Sequence, residues 1–159
     1  MIIKLISAAA IIISCSYVGF KLSNNLYKRV HLLSNILAAV SKIESCITTV
    51  RMPLSEIYSL LSSSKGTVGE FFSKLTPDTD WAEHIDILNG LAPQDKSAIL
   101  GLSEKLGSLD YERQIDELRF TQNLLISLLD KAKSDMNENS KVYKSMSFFT
   151  GVVIAVLLI

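Results

Sequence analysis

Residues 22–47 read LSNNLYKRVHLLSNILAAVSKIESCI, and this stretch decides the fold. Its apolar residues recur at alternating four- and three-residue steps, Leu26, Val30, Leu33, Leu37, Val40 and then Ile47, with Leu22 and Ile36 widening the stripe. That period builds one apolar face along an α-helix and leaves the opposite face polar. Arg51-Met52-Pro53 ends it, because proline disfavours helical geometry in the residue before it and suits the first turn of a following helix. Glu44 falls on or near the apolar stripe, where a carboxylate is costly unless it is paired or caps something. It is expected in a structural ion pair or hydrogen bond, or against a partner.

Toward the N-terminus this helix runs directly into an apolar segment. Residues 5–20 carry no charged side chain, and Ile2 and Ile3 extend the run past Lys4, whose stem can reach the headgroup level. The C-terminal end reads likewise: residues 145–159 are uncharged and approach spanning length when Val142 and Tyr143 are included. Met146, Phe148 and Phe149 at its start fit interfacial anchoring. Lys21, Lys28 and Arg29 follow the first span, and Lys131, Lys133, Lys141 and Lys144 precede the second. Basic flanks are retained in the cytoplasm, so the middle of the chain is expected there and both termini outside. The division is then 1–20 and 145–159 as transmembrane helices, with 21–144 as a cytoplasmic helical bundle. A rival reading is a lipoprotein or secreted helical binding module anchored through Cys15, since Ile12-Ile13-Ser14-Cys15 loosely resembles a lipobox; Tyr17, Val18 and Phe20 beyond it stay apolar where a mature lipoprotein would turn polar.

Between Pro53 and the second span the chain punctuates itself into short helices. One runs from Pro53 to about Leu61 and ends in the loop of residues 62–66. Thr67 and Glu70 have capping-box spacing, placing a helix with Phe71, Phe72 and Leu75 that ends near Pro77. Asp78, Thr79 and Asp80 offer cap oxygens to a helix holding Trp81, Ile85 and Leu88, closed by Asn89-Gly90. A further helix starts at Pro93 and stops at Gly107. Asp110 is placed to cap the last one, with its stripe of Ile115, Leu118, Leu125, Leu129, Ala132 and Met136. Residues 133–141 are rich in Ser, Asn and charge, and read as either a hinge or a solvated helix. No segment sustains the two-residue alternation of a half-buried strand, so the class is all-α.

The chemistry-bearing residues are sparse. Sixteen basic and sixteen acidic residues leave no broad positive field for nucleic acid. Cys15 and Cys46 lie in different environments and form neither a disulfide framework nor a metal site. His31 and His84 have no second ligand at helical spacing. Neither a Gly-rich phosphate loop nor a nucleophile elbow occurs, and residues 62–64 are a serine turn rather than a nucleophile. The chain is read as a non-enzyme without cofactor that acts through its surfaces.

Three ordered motifs carry a resemblance: Leu33-x-x-x-Leu37-x-x-Val40-x-x-Ile43-Glu44-x-x-Ile47, then Met52-Pro53-Leu54-x-Glu56, then Leu106-Gly107-x-x-Asp110-x-x-x-Gln114. With the short apolar C-terminus they resemble the stage III sporulation protein AB family of endospore-forming bacteria, over essentially the whole chain. That family is similar in its soluble domain to the helical cytoplasmic domain of the type II secretion F inner-membrane platform protein. The resemblance implies an antiparallel helical bundle in the mother-cell membrane around the forespore. It would be a structural platform coupling a secretion-type ATPase, the stage III sporulation protein AA, to membrane channel subunits, with homo-oligomerisation left open. Glu44, Pro53, Glu56, Gly107, Asp110 and Gln114 are the residues expected to bind partners or to brace the fold.

Overall fold

In a computed structural model the structure describes residues 2–108 and 110–158, with side chains at residues 10 and 12–156 among them. The side chains of Ile2, Ile3 and Lys4 lie outside the described residues. Five α-helices, α1 (Ile2–Ser45), α2 (Leu54–Ser62), α3 (Thr67–Ser73), α4 (Pro93–Ser103) and α5 (Tyr111–Leu158), are joined by turns, and no strand occurs among the described residues. The chain forms two compact units: one from residues up to Lys28 and from Lys131 onward, the other Arg29–Asp130.

The middle unit is organised around the apolar stripe of α1. Leu33, Ile36, Val40, Ile43 and Ile47 are all buried, and Leu118, Leu125, Leu128 and Leu129 of α5 are buried with them. Ile57, Tyr58 and Leu61 of α2 and Phe71 and Phe72 of α3 add a second layer. Tyr58, Phe71 and Phe72 surround Trp81 with ring centroids 5.6–6.1 Å from its own, mostly edge-on, the arrangement that aromatic quadrupoles favour. Burial of such large side chains supplies the main drive to fold.

Three local expectations are corrected. The segment around Trp81 is not an α-helix but two 3-10 turns, Trp81–Glu83 and Ile85–Ile87, separated at His84 with φ −116° and ψ 0°. Asp80 caps only the first turn, accepting from Ala82 N–H at 2.9 Å, and the packing of Trp81 on Phe71 and Phe72 holds the segment in tighter turns. Thr67 is not the cap of α3; Gly66 holds that position at φ +98° and its carbonyl accepts from Glu70 N–H at 3.1 Å. Finally, α4 ends at Ser103 rather than Gly107. Residues 133–141 are helical within α5, where Ser134 Oγ donates to Glu138 at 2.8 Å.

The end unit packs by a different rule. Cys15, Gly19 and Ser23 recur every four residues on α1, as do Ser147, Gly151 and Ala155 on α5. A methyl group on Gly19 would collide with Ser147 and stand 2.6 Å from the Tyr143 carbonyl oxygen, and one on Gly151 would stand 3.0 Å from Cys15 Cβ. The two backbones therefore approach as closely as they do only because both positions lack a side chain. Gly19, Ser23, Gly151 and Ala155 are buried, whereas Ile13, Tyr17, Phe20, Met146, Phe149 and Val156 are more than half exposed. By length and composition, one helical stretch among the described residues, Ile12–Val50, is long and apolar enough to cross a membrane.

Candidate partner-docking site

The end of α1 is irregular, and the irregularity shapes the site. After Ser45 the helix widens into a π-turn, Cys46–Val50. Arg51 then adopts left-handed geometry at φ 51° and ψ 40°, its N–H bonding to Ile47 O and that of Met52 to Cys46 O, each at 3.2 Å. This is a glycine-type helix stop expanded by one residue to match the π-turn. The Thr48 hydroxyl donates to the Glu44 carbonyl at 2.8 Å. A left-handed non-glycine residue costs about 1–2 kcal/mol, so arginine here weakens the stop that glycine would make. Pi-turns and such backbone outliers gather at functional sites.

Pro53, extended at φ −66° and ψ 150°, then starts α2, its carbonyl accepting from Glu56 and Ile57 N–H. Across from it, Gly107 turns the chain at φ +83°, and a Cβ there would stand 3.2 Å from Leu54 Cδ1. Asp110 leads into α5: its carbonyl accepts from Gln114 N–H at 2.9 Å and its carboxylate faces Arg113 at 3.6 Å. Between these segments opens a cleft of about 390 Å³ walled by Ile47, Met52, Pro53 and Leu54 on one side and Gly107, Tyr111 and Gln114 on the other, with Arg51 at its lip. The Arg51 guanidinium sits over the Tyr111 ring, 5.4 Å from its centroid, within cation–π range.

Of the six residues singled out by sequence, the fold brings Pro53, Gly107 and Gln114 together in this cleft, with Asp110 beside it. Glu56 is exposed in the first turn of α2 and does not line it. Glu44, one turn before Ile47, is held elsewhere: Arg119 Nε donates to one carboxylate oxygen at 2.9 Å and Gln122 Nε2 to the other at 2.7 Å. That pairing ties α1 to α5.

Two features escaped the sequence reading. Arg51 appeared only as part of a helix stop, since nothing in its side chain announces left-handed geometry. The other is Asp95, fully buried on α4, which accepts from Arg29 Nε at 2.8 Å and Nη2 at 2.9 Å and from the Ala92 N–H at 2.9 Å. The signal was the acid at the third position of a proline-led helix, where a carboxylate caps the preceding N–H. By sequence Arg29 reads only as a basic residue flanking the apolar N-terminal run.

The arrangement offers recognition surfaces, and among the described residues no group of three metal-binding side chains forms. A family model described as stage III sporulation protein AB matches residues 4–159. The chain belongs to that family. Membership makes it a sporulation protein, of a structural rather than an enzyme family. Together with the apolar N-terminal helix, it is consistent with membrane association in a sporulation complex. No curated protein and no solved structure matches the chain.

Proposed function

We propose that this member of the stage III sporulation protein AB family is a membrane-anchored docking platform, its two ends crossing the mother-cell membrane and its helical middle facing the cytoplasm. The observation that carries the docking role is the cleft where Pro53, Gly107 and Gln114 meet beside a left-handed Arg51. A preformed opening with apolar walls and a few polar groups at its rim has the make-up of a recognition site. The anchor is supported by the small residues between the two end helices and the large apolar ones on their outside, the packing of helices in lipid. The paired helices also hold Cys15 against Gly151, which favours an uncleaved anchor over a lipoprotein. Within this role the bundle, similar to the secretion F cytoplasmic domain, couples the secretion-type ATPase named by the resemblance, stage III sporulation protein AA, to channel subunits. Asp110 and Gln114 meet the ATPase, Pro53 and Gly107 shape the cleft, and Glu44 and Glu56 brace or extend the surface.

The test is capture of the purified ATPase by the full-length protein in lipid nanodiscs. Asp110→Lys should lower capture while helical circular dichroism is retained. Loss of helicity in that variant would show instead that Asp110 only starts α5. Single cysteines placed in the middle unit should react with an impermeant maleimide from the cytoplasmic side alone; labelling from outside would overturn the orientation.

A further inference from the structure

The cleft has unspent hydrogen-bond donors. Among the described residues no acceptor meets the Arg51 guanidinium, which rests on Tyr111 alone, and the Gln114 carboxamide is likewise unpartnered. The Tyr111 hydroxyl is committed only weakly, to the Thr48 carbonyl at 3.5 Å. An arginine and a carboxamide that line one opening can together donate to a planar anion. Beneath them the wall of Ile47, Met52 and Leu54 is apolar.

We infer that the cleft receives a protein segment in which a carboxylate stands beside an apolar side chain, Arg51 and Gln114 donating to the carboxylate while Ile47, Met52 and Leu54 take the apolar group. This rests on the docking role proposed above and specifies its ligand. Charge decides for a single carboxylate over a phosphate: among the described residues that line the cleft Arg51 is the one cation, and the nearby Arg113 is paired with Asp110. A doubly charged phosphate group would leave one charge unmatched, next to a chain segment that carries Asp110 and Glu112. The left-handed backbone at Arg51 fits the same account, since glycine would hold that geometry more readily and only the side chain explains arginine.

The experiment uses the full-length protein in nanodiscs with methyl-13C methionine, because Met52 lines the cleft while Met136 and Met146 do not. The blocked dipeptide acetyl-Leu-Asp-amide, titrated into the millimolar range, should shift the Met52 methyl resonance saturably and leave Met136 and Met146 unmoved. Acetyl-Leu-Asn-amide should bind about tenfold or more weakly, the worth of a charge-assisted hydrogen bond. Arg51→Gly should abolish the difference between the two peptides while the protein melts at or above the wild-type temperature, since glycine relieves the left-handed strain. Equal shifts with both peptides, no shift with the aspartyl peptide, or a shift with inorganic phosphate alone would overturn the inference. Capture of the ATPase separates the two levels. If Met52→Trp blocks it and Arg51→Gly does not, the docking role stands and the carboxylate reading falls; if neither variant matters, both fall.

Discussion

The two units of this protein bury opposite kinds of residue. In the middle unit the interior holds Leu33, Ile43, Phe71 and Leu118, each at most 1% exposed. In the end unit the interior holds Gly19, Ser23, Gly151 and Ala155, and the exterior carries Phe149 at 65% and Ile13 at 69% exposure. Water explains the first pattern, because it expels apolar surface into a common core. It cannot explain the second. The proposed membrane anchor does: lipid tails are as apolar as leucine and give no reward for hiding it, so helices in lipid associate through close backbone packing between small residues. The difference is what two solvents, water for the middle unit and the proposed membrane for the end unit, would produce, and substitutions can test that directly.

The largest expected effect lies where a charge has been taken into the middle unit. Asp95 is fully buried and Arg29 is 15% exposed, so the pair is shielded from the solvent that weakens surface ion pairs. Arg29→Met leaves the carboxylate uncompensated and should destabilise the protein by about 3–5 kcal/mol, read by chemical unfolding of the full chain in mild detergent. The double variant Arg29→Met with Asp95→Leu should recover much of that loss. Recovery stays incomplete by about 1 kcal/mol, because the Ala92 N–H loses its acceptor at the start of α4. A cost under about 1 kcal/mol for the single change would place the pair in water and break the contrast at its sharpest point.

Next in size is the reversal of the size rule. In the end unit, adding bulk should hurt and removing it should not. Gly19→Val drives a side chain into Ser147 and the Tyr143 carbonyl and should cost about 1–3 kcal/mol by overpacking. Phe149→Ala, which empties no interior, should cost less than about 0.5 kcal/mol in lipid. Unfolding of both variants in nanodiscs, followed by circular dichroism, gives the comparison. Should Phe149→Ala prove the more damaging of the two, the outer face of α5 is covered by protein rather than lipid.

What could be read in the sequence follows the range of the interactions involved. The periodic stripe of α1 and the prolines at 53 and 93 are local signals, and the helices they announce are present. Caps and turns are local too, but ambiguous: Thr67 and Glu70 match a capping box, yet Gly66, at a positive φ that glycine adopts freely, takes the cap position and Thr67 opens the helix. Around Trp81 tertiary contacts with Phe71 and Phe72 outweigh helical propensity. The Arg29–Asp95 pair joins residues 66 positions apart: the place of Asp95 at the third position of α4 marks a cap, but neither neighbourhood announces its partner. Of the candidate site, the convergence of Pro53, Gly107 and Gln114 had a trace in the motifs, whereas the π-turn and the geometry of Arg51 had none.

The smallest expected effect concerns the aromatic layer of the middle unit and is confined to alkaline pH. Burial raises the pKa of the Tyr58 phenol above its ordinary 10.0, and a hydrogen bond from Trp81 opposes the shift without cancelling it. Between that ordinary value and the higher one of the folded state, the folded protein keeps a proton that the unfolded chain has lost. Stability therefore falls as pH rises through this window, while below pH 10 Tyr58 adds no slope at all. Because lysines titrate in the same region, the effect is isolated by subtracting Tyr58→Phe, which should flatten the alkaline limb of the stability curve and leave its neutral part parallel. If the two curves stay parallel above pH 10 as well, Tyr58 is hydrated, and the layer formed by Phe71, Phe72 and Trp81 does not exclude water as the middle unit's packing requires.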